Sequence, residues 1–341
     1  MKRIAQIYLI IVTAVICLWQ LPWIYNFFTV EAYTTPFILY SSVVDDFVVR
    51  KTENKKIVCS GLDGTTYTIN QYDSILPEYQ ARQLAAYDCL PDTLFGRAVS
   101  LKMLTEEAIS MRIKPEMVFG PQIPLYQLME SQSGRVDFEM PDDVFRITDS
   151  KIEFVIKDSN KVNEPKSQMF TDALSDAGFV FPAVEIAGNP TSKKRYDNGY
   201  LITDSRNCLF NLKMEKGNPN VQKIELDQQI VPCHIFVTEF TGMHSLGMFF
   251  DQNGKLYVIT MPEKEIKMVD IPPVDLHADE VFIMGNIFTW TIRIKNDDTV
   301  SWYAVDAQNF AQIKSYSQPV GYEYVKGLDF EENGWIVPGW R

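Results

Sequence analysis

Three segments of this 341-residue chain repeat one layout. Asp204, Asp251 and Asp297 each open a turn, and each is followed five and six residues later by a large apolar and an aromatic residue: Leu209-Phe210, Leu256-Tyr257 and Trp302-Tyr303. The openings lie 47 and 46 residues apart. Short runs of β-branched and aromatic residues between Asn, Asp and Gly, such as Tyr200-Leu201-Ile202 and Tyr257-Val258-Ile259, read as strands. A period in the forties built from turn-separated strands is that of a four-stranded propeller blade, which exposes two apolar faces that only neighbouring sheets can cover. Weaker echoes stand at Asp149 with Phe154-Val155 and at Asp329 with Gly334-Trp335. Residues 34–341 then hold roughly five blades, or six if residues 71–135 supply strands. In a closed ring, Gly334–Pro338 is expected to pair near Phe37–Val49.

The second constraint is an apolar run from Ile4 to Trp23, flanked by Lys2 and Arg3 and closed by Trp19, Trp23, Tyr25, Phe27 and Phe28. About twenty helical residues rise roughly 30 Å, the thickness of a hydrocarbon core, and aromatic residues settle at its boundary. The next cation is Arg50. The positive-inside bias therefore predicts a cytoplasmic stub at 1–3, an anchor at 4–28 and an extracytoplasmic domain at 34–341, in the inner membrane and facing the periplasm. Bulky residues after the core disfavour cleavage, and Ile16 disfavours lipidation at Cys17. The chain carries 44 acidic against 32 basic residues, a net charge of −12, which argues against nucleic acid as a partner.

Residues 71–135 interrupt the strand signal as a partly helical insertion. Pro77, Glu78 and helix formers up to Pro91 predict a helix over Leu76–Leu90, and Thr105 before Glu106-Glu107 predicts a short second one. Phe37–Tyr40, Phe47–Arg50, Ile57–Ser60 and Thr65–Ile69 read as strands. Cys59, Cys89, Cys208 and Cys233 are too sparse for a disulfide-built scaffold; they read as buried thiols or one or two bridges, with the pairing open.

No segment carries a catalytic signature. Met243-His244-Ser245-Leu246-Gly247 approaches the Gly-x-Ser-x-Gly elbow of serine hydrolases, but Met243 replaces the first glycine and a strand follows in place of a helix. The acidic pairs Asp45-Asp46, Glu106-Glu107, Asp142-Asp143, Asp297-Asp298 and Glu331-Glu332 read as solvated turns or helix ends. Asp251-Gln252-Asn253-Gly254 departs from a calcium loop, and His234, His244 and His277 lack metal-ligand spacing. No catalytic, cofactor or metal residues are assigned. Trp335 and Trp340 are candidate partner-binding residues, with packing in the terminal strand as the competing role.

Tyr72-Asp73-Ser74-Ile75-Leu76-Pro77, Leu90-Pro91-Asp92, Leu125–Ser131, Gly134-Arg135-Val136 and Met140–Arg146 resemble a bacterial family labelled only as a domain of unknown function. The likeness covers nearly the whole length, anchor included. It implies genes beside ABC-transporter components, and hence an accessory role with a permease as partner; no catalytic residues are known in the family to carry over. The expected protein is mainly β, with a transmembrane helix before a propeller-like domain. It binds or scaffolds at the membrane and leans away from catalysis. The alternatives are a glycan- or peptide-processing hydrolase with an axial propeller site, and an extracytoplasmic ligand sensor.

Overall fold

A computed structural model describes residues 2–29, 35–53, 56–135, 137–320, 328–332 and 335–340. The chain opens with one long helix, α1 (Lys2–Thr29), whose Lys2–Leu21 window is long and apolar enough to cross a membrane, as a signal sequence also is. Four strands follow as one sheet, here sheet I: β1 (Phe37–Ser41), β2 (Asp46–Glu53), β3 (Lys56–Gly61) and β4 (Thr66–Tyr67). The expected strands are present, but Ile69 begins a helix.

The next segment holds α2 (Ile69–Ile75), α3 (Ala81–Ala86), β5 (Thr93–Leu94), β6 (Arg97–Ala98), α4 (Leu101–Glu106), β7 (Ile109–Ile113) and α5 (Pro115–Phe119). Two local expectations shift. The helix expected over Leu76–Leu90 is only α3. The other is displaced to Leu101–Glu106, because Ser100, whose side chain accepts from the Met103 amide at 3.2 Å, is the cap in place of Thr105.

Sheet II consists of β8 (Asp143–Ile147), β9 (Ile152–Ile156) and β10 (Lys161–Val162) and is covered by α6 (Glu164–Asp176). Asn163 caps α6 by accepting from the Lys166 amide, with Pro165 in its first turn. Phe170 and Leu174, four apart, bury one helix face; the Phe170 ring lies 4.7 Å from that of Phe154.

Three regular meanders complete the series. Sheet III is β11 (Glu185–Gly188), β12 (Tyr200–Thr203), β13 (Leu209–Glu215) and β14 (Asn218–Ile224). Sheet IV is β15 (Pro232–Val237), β16 (Ser245–Asp251), β17 (Leu256–Thr260) and β18 (Ile266–Met268). Sheet V is β19 (Glu280–Gly285), β20 (Thr289–Lys295), β21 (Thr299–Asp306) and β22 (Gln312–Pro319), with β7 added antiparallel on the β19 edge. A terminal hairpin joins β23 (Leu328–Glu332) to β24 (Trp335–Trp340).

Alternation along these strands explains the packing. In sheet III, Tyr200, Ile202, Phe210 and Leu212 pack with Phe145 and Phe154 of sheet II, while Leu201, Leu209 and Ile224 pack with Leu246, Phe249 and Tyr257 of sheet IV. Sheet IV turns Met248, Phe250, Leu256 and Val258 to Val281, Ile283, Ile292 and Val305 of sheet V. With both faces covered, the strands read as continuous apolar runs. Sheet V meets sheet I in turn: Thr291 Oγ1 accepts from the Tyr40 amide at 3.0 Å, and Lys314 Nζ reaches Asp46 at 3.0 Å. Mainly β and propeller-like, this is the expected fold class.

Contact density divides the chain into two compact units, one of residues 1–37, 50–58 and 320–341 and the other of Ile38–Val49 and Cys59–Pro319. Residues 38–49 are packed by sheet V. Among the described pairings, the partner of β24 is β23, not the expected Phe37–Val49; Gly334 lies outside the described residues.

The repeated aspartates have a shared task. Asp204 Oδ1 accepts from the amides of Arg206 and Cys208 at 2.9 and 2.8 Å, and Asp251 Oδ1 accepts from those of Asn253 and Lys255 at 2.8 and 2.9 Å. Each thereby closes the hairpin between the second and third strands of its sheet. In sheet V the role moves one residue to Asn296, which accepts from Asp298 and Thr299 at 3.0 and 2.8 Å; in sheet II, Thr148 replaces Asp149. Asp251→Ala removes the acceptor of two turn amides and is expected to cost about 1 kcal/mol in chemical denaturation, with Asp251→Asn costing clearly less.

Candidate functional site

Between sheets IV and V lies a cavity of about 310 Å³. Its apolar wall includes Phe240, Val258, Ile287, Trp290 and Phe310, and its polar rim holds Arg97, Glu107, His244, Glu263, Glu265 and Lys267. Turn chemistry places the wall. Asn286 Oδ1 accepts from the amides of Phe288 and Thr289 at 2.7 and 3.0 Å, which projects Ile287. Asp306 Oδ1 accepts from Gln308 and Asn309 at 2.8 and 3.0 Å, and turns Phe310 edge-on to Trp290 at 4.9 Å.

The insertion supplies Arg97, Glu107 and Ile109. His244 Nε2 meets Glu107 Oε2 at 2.5 Å; the imidazole is 70% exposed and the carboxylate 18%. A Cβ at Gly242 would stand 2.2 Å from the same Glu107 oxygen and would displace the carboxylate.

Ser245 does not join this pair. Its Oγ lies 2.7 Å from Thr238 Oγ1 at the start of β16, so the elbow geometry fails in structure as in sequence. Gly247 serves packing, since a Cβ would approach Phe236 O to 2.6 Å. The other histidines flank one ring: Phe119 stacks on His277 at 3.8 Å and meets His234 edge-on at 5.0 Å. Among the described residues no group of three or more His, Cys, Asp or Glu is arranged to hold a metal ion. The acidic neighbours point to separate partners: Glu106 to Arg195 at 2.7 Å, Asp143 to Lys166 at 2.8 Å and Asp45 to the Tyr40 hydroxyl at 2.5 Å. Cys89 is exposed, and Cys208 and Cys233 are half-buried thiols. Trp335 and Trp340 stand opposite Glu332 and Leu328 in the terminal hairpin, and their side chains lie outside what the structure describes.

Two further polar centres escaped the sequence reading. Lys194, Asp197 and Glu239 have side chains only 4%, 3% and 2% exposed. Lys194 Nζ donates to Asn189 O, Asp197 Oδ1 and Glu239 Oε1 at 2.8, 2.5 and 2.9 Å, and Glu239 also accepts from the Asn198 amide at 2.7 Å and from Asn189 Nδ2 at 2.7 Å. Ser131 closes the set on Asp197. This saturated network ties the β11–β12 loop to the end of β15. Nearby, burial lowers the Lys213 ammonium against the pull of Asp197.

Glu78 is the opposite case. It is 2% exposed, and neither carboxyl oxygen reaches a partner at bonding distance. Burial pushes its carboxyl up to about 7, against the weaker pull of its own amide and of Ser42. Its Pro-Glu dipeptide resembled an ordinary helix start, which hid the burial.

Comparison with known proteins bears on the family and little else. No curated protein matches. Two similar solved structures are PorZ, described as an essential bacterial surface component of the type-IX secretion system of Porphyromonas gingivalis, and the β-propeller domain of Cps50 (Swd1) from Myceliophteria thermophila. Identity to PorZ is 8% with a TM-score of 0.26, covering 86% of this chain and 33% of that one, so the chain spans about a third of its length. Identity to the Swd1 domain is 8% with a TM-score of 0.29, covering 84% and 89%. Likenesses this distant carry no functional reading. The family model named Domain of unknown function (DUF4857) matches residues 37–305, which include sheets I to IV and sheet V without β22, and the chain belongs to that family.

Proposed function

We propose that this chain is a non-catalytic, single-pass scaffold. α1 holds it in the bacterial inner membrane, the sheets face the periplasm, and the partner is a transporter permease. The observation that carries the reading is the apolar surface of the insertion: Ile123, Tyr87, Met117 and Phe95 are 76%, 69%, 59% and 51% exposed. A strongly acidic protein that leaves such side chains in water within one segment presents a contact face. The polar groups nearest to a catalytic set are engaged elsewhere, Ser245 with Thr238 and His244 with Glu107.

Pull-down of the full chain from detergent extract is expected to recover a polytopic transporter permease, and Tyr87→Ser combined with Ile123→Ser is expected to reduce recovery at least tenfold with the melting temperature unchanged. Recovery of no membrane protein, or undiminished recovery by the double variant, refutes the reading. Trp335→Ala and Trp340→Ala test the terminal hairpin as a second contact in the same assay.

A further inference from the structure

We propose that the cavity between sheets IV and V is a binding site for a small amphiphilic organic cation, its ammonium against Glu107 and its apolar body against Trp290 and Phe310. The inference goes beyond the scaffold reading, because it rests on the lining of the cavity and not on the exposed residues that carry that reading.

Four observations converge. A volume of about 310 Å³ is at the lower end of small-molecule sites, enough for a single ring with a short chain. Trp290 and Phe310, 4.9 Å apart at 68°, form an aromatic corner whose faces attract a cation as well as a hydrocarbon. Glu107 is the one mostly buried carboxylate on the rim, and its sole ionic partner among the described residues is the exposed imidazole of His244, which a ligand ammonium can displace by a side-chain rotation. The rim cation Lys267 is already engaged within the lining, by Gln308 O at 3.4 Å and Glu265 at 3.8 Å. Three carboxylates of the lining, Glu107, Glu263 and Glu265, stand against the two permanent cations Arg97 and Lys267, and the net charge of −12 raises the local concentration of positive ligands.

The test uses 2-phenylethylamine, its neutral isostere 2-phenylethanol and anionic 3-phenylpropionate, titrated calorimetrically into the full chain in detergent. The amine is expected to bind at least tenfold more tightly than the alcohol, and the anion more weakly still. Glu107→Gln should erase the preference for the amine, and His244→Ala should preserve or strengthen it by removing the competitor. Ala307→Trp, which fills the cavity from the β21–β22 turn, should abolish binding of all three with the fold intact by circular dichroism. Equal binding of amine and alcohol, or no heat from any probe at millimolar concentration, overturns the proposal. Permease recovery by the unsubstituted chain reports separately: amine binding with no permease recovered overturns the scaffold reading alone, and permease recovered with no preference for the amine overturns the site alone.

Discussion

Glu78→Gln is expected to stabilise the protein by about 3 kcal/mol at pH 8 and hardly at all at pH 4. The sign follows from the direction of the shift. The carboxyl titrates near 7 when folded and near 4.5 when unfolded, so the native state binds the extra proton. Below the unfolded value both states are protonated and no ionisation penalty is felt. As pH rises through the window from 4.5 to 7 the unfolded chain ionises first, stability falls, and above 7 the penalty levels off at about 3 kcal/mol. No cation among the described residues pairs with the carboxylate. Its charge adds to those of Asp45 and Asp46 in raising the Tyr40 phenol. Glutamine keeps the shape and removes the ionisation. Urea denaturation of both proteins at pH 4, 6 and 8 checks this; parallel curves without the widening gap would show that Glu78 is hydrated.

Lys194→Met is expected to destabilise by about 3–5 kcal/mol, the cost of stranding two buried carboxylates without their cation. Asp197 and Glu239 are each at most 3% exposed on their side chains, and both accept from Nζ. The double variant Lys194→Met with Glu239→Gln should recover part of the loss, because one uncompensated charge goes with its partner. If the single variant melts like the parent, water enters the site and the network is not a dry one.

Much of the fold was legible because it is local. An aspartate that accepts amides two and four residues onward needs no distant partner, so Asp204 and Asp251 announced their hairpins, and the spacing between them announced the sheets. The strand signal masked α6, whose Asn163 cap, Pro165, and Phe170-Leu174 pair were readable at helical spacing. The cavity was not legible. Glu107 and His244 are 137 residues apart in a sequence that gives neither a motif, and it takes the pairing of β7 with β19, with the packing of Leu94 and Leu104 on Ile287, to bring the insertion to sheet V. Lys194 and Glu239, likewise, look like ordinary surface charges until the β11–β12 loop folds over the end of β15.

The pairing of β7 with β19 also sets an order of assembly. Ile113 lies opposite Val281, so a strand made early waits for roughly 170 further residues before its partner exists. Until then the apolar side chains of Ile109 and Ile113 have no sheet to cover them. During vectorial synthesis the segment is thus a natural client for a holding chaperone, and truncations that stop short of residue 295 should leave it open to proteolysis however well the earlier sheets have formed.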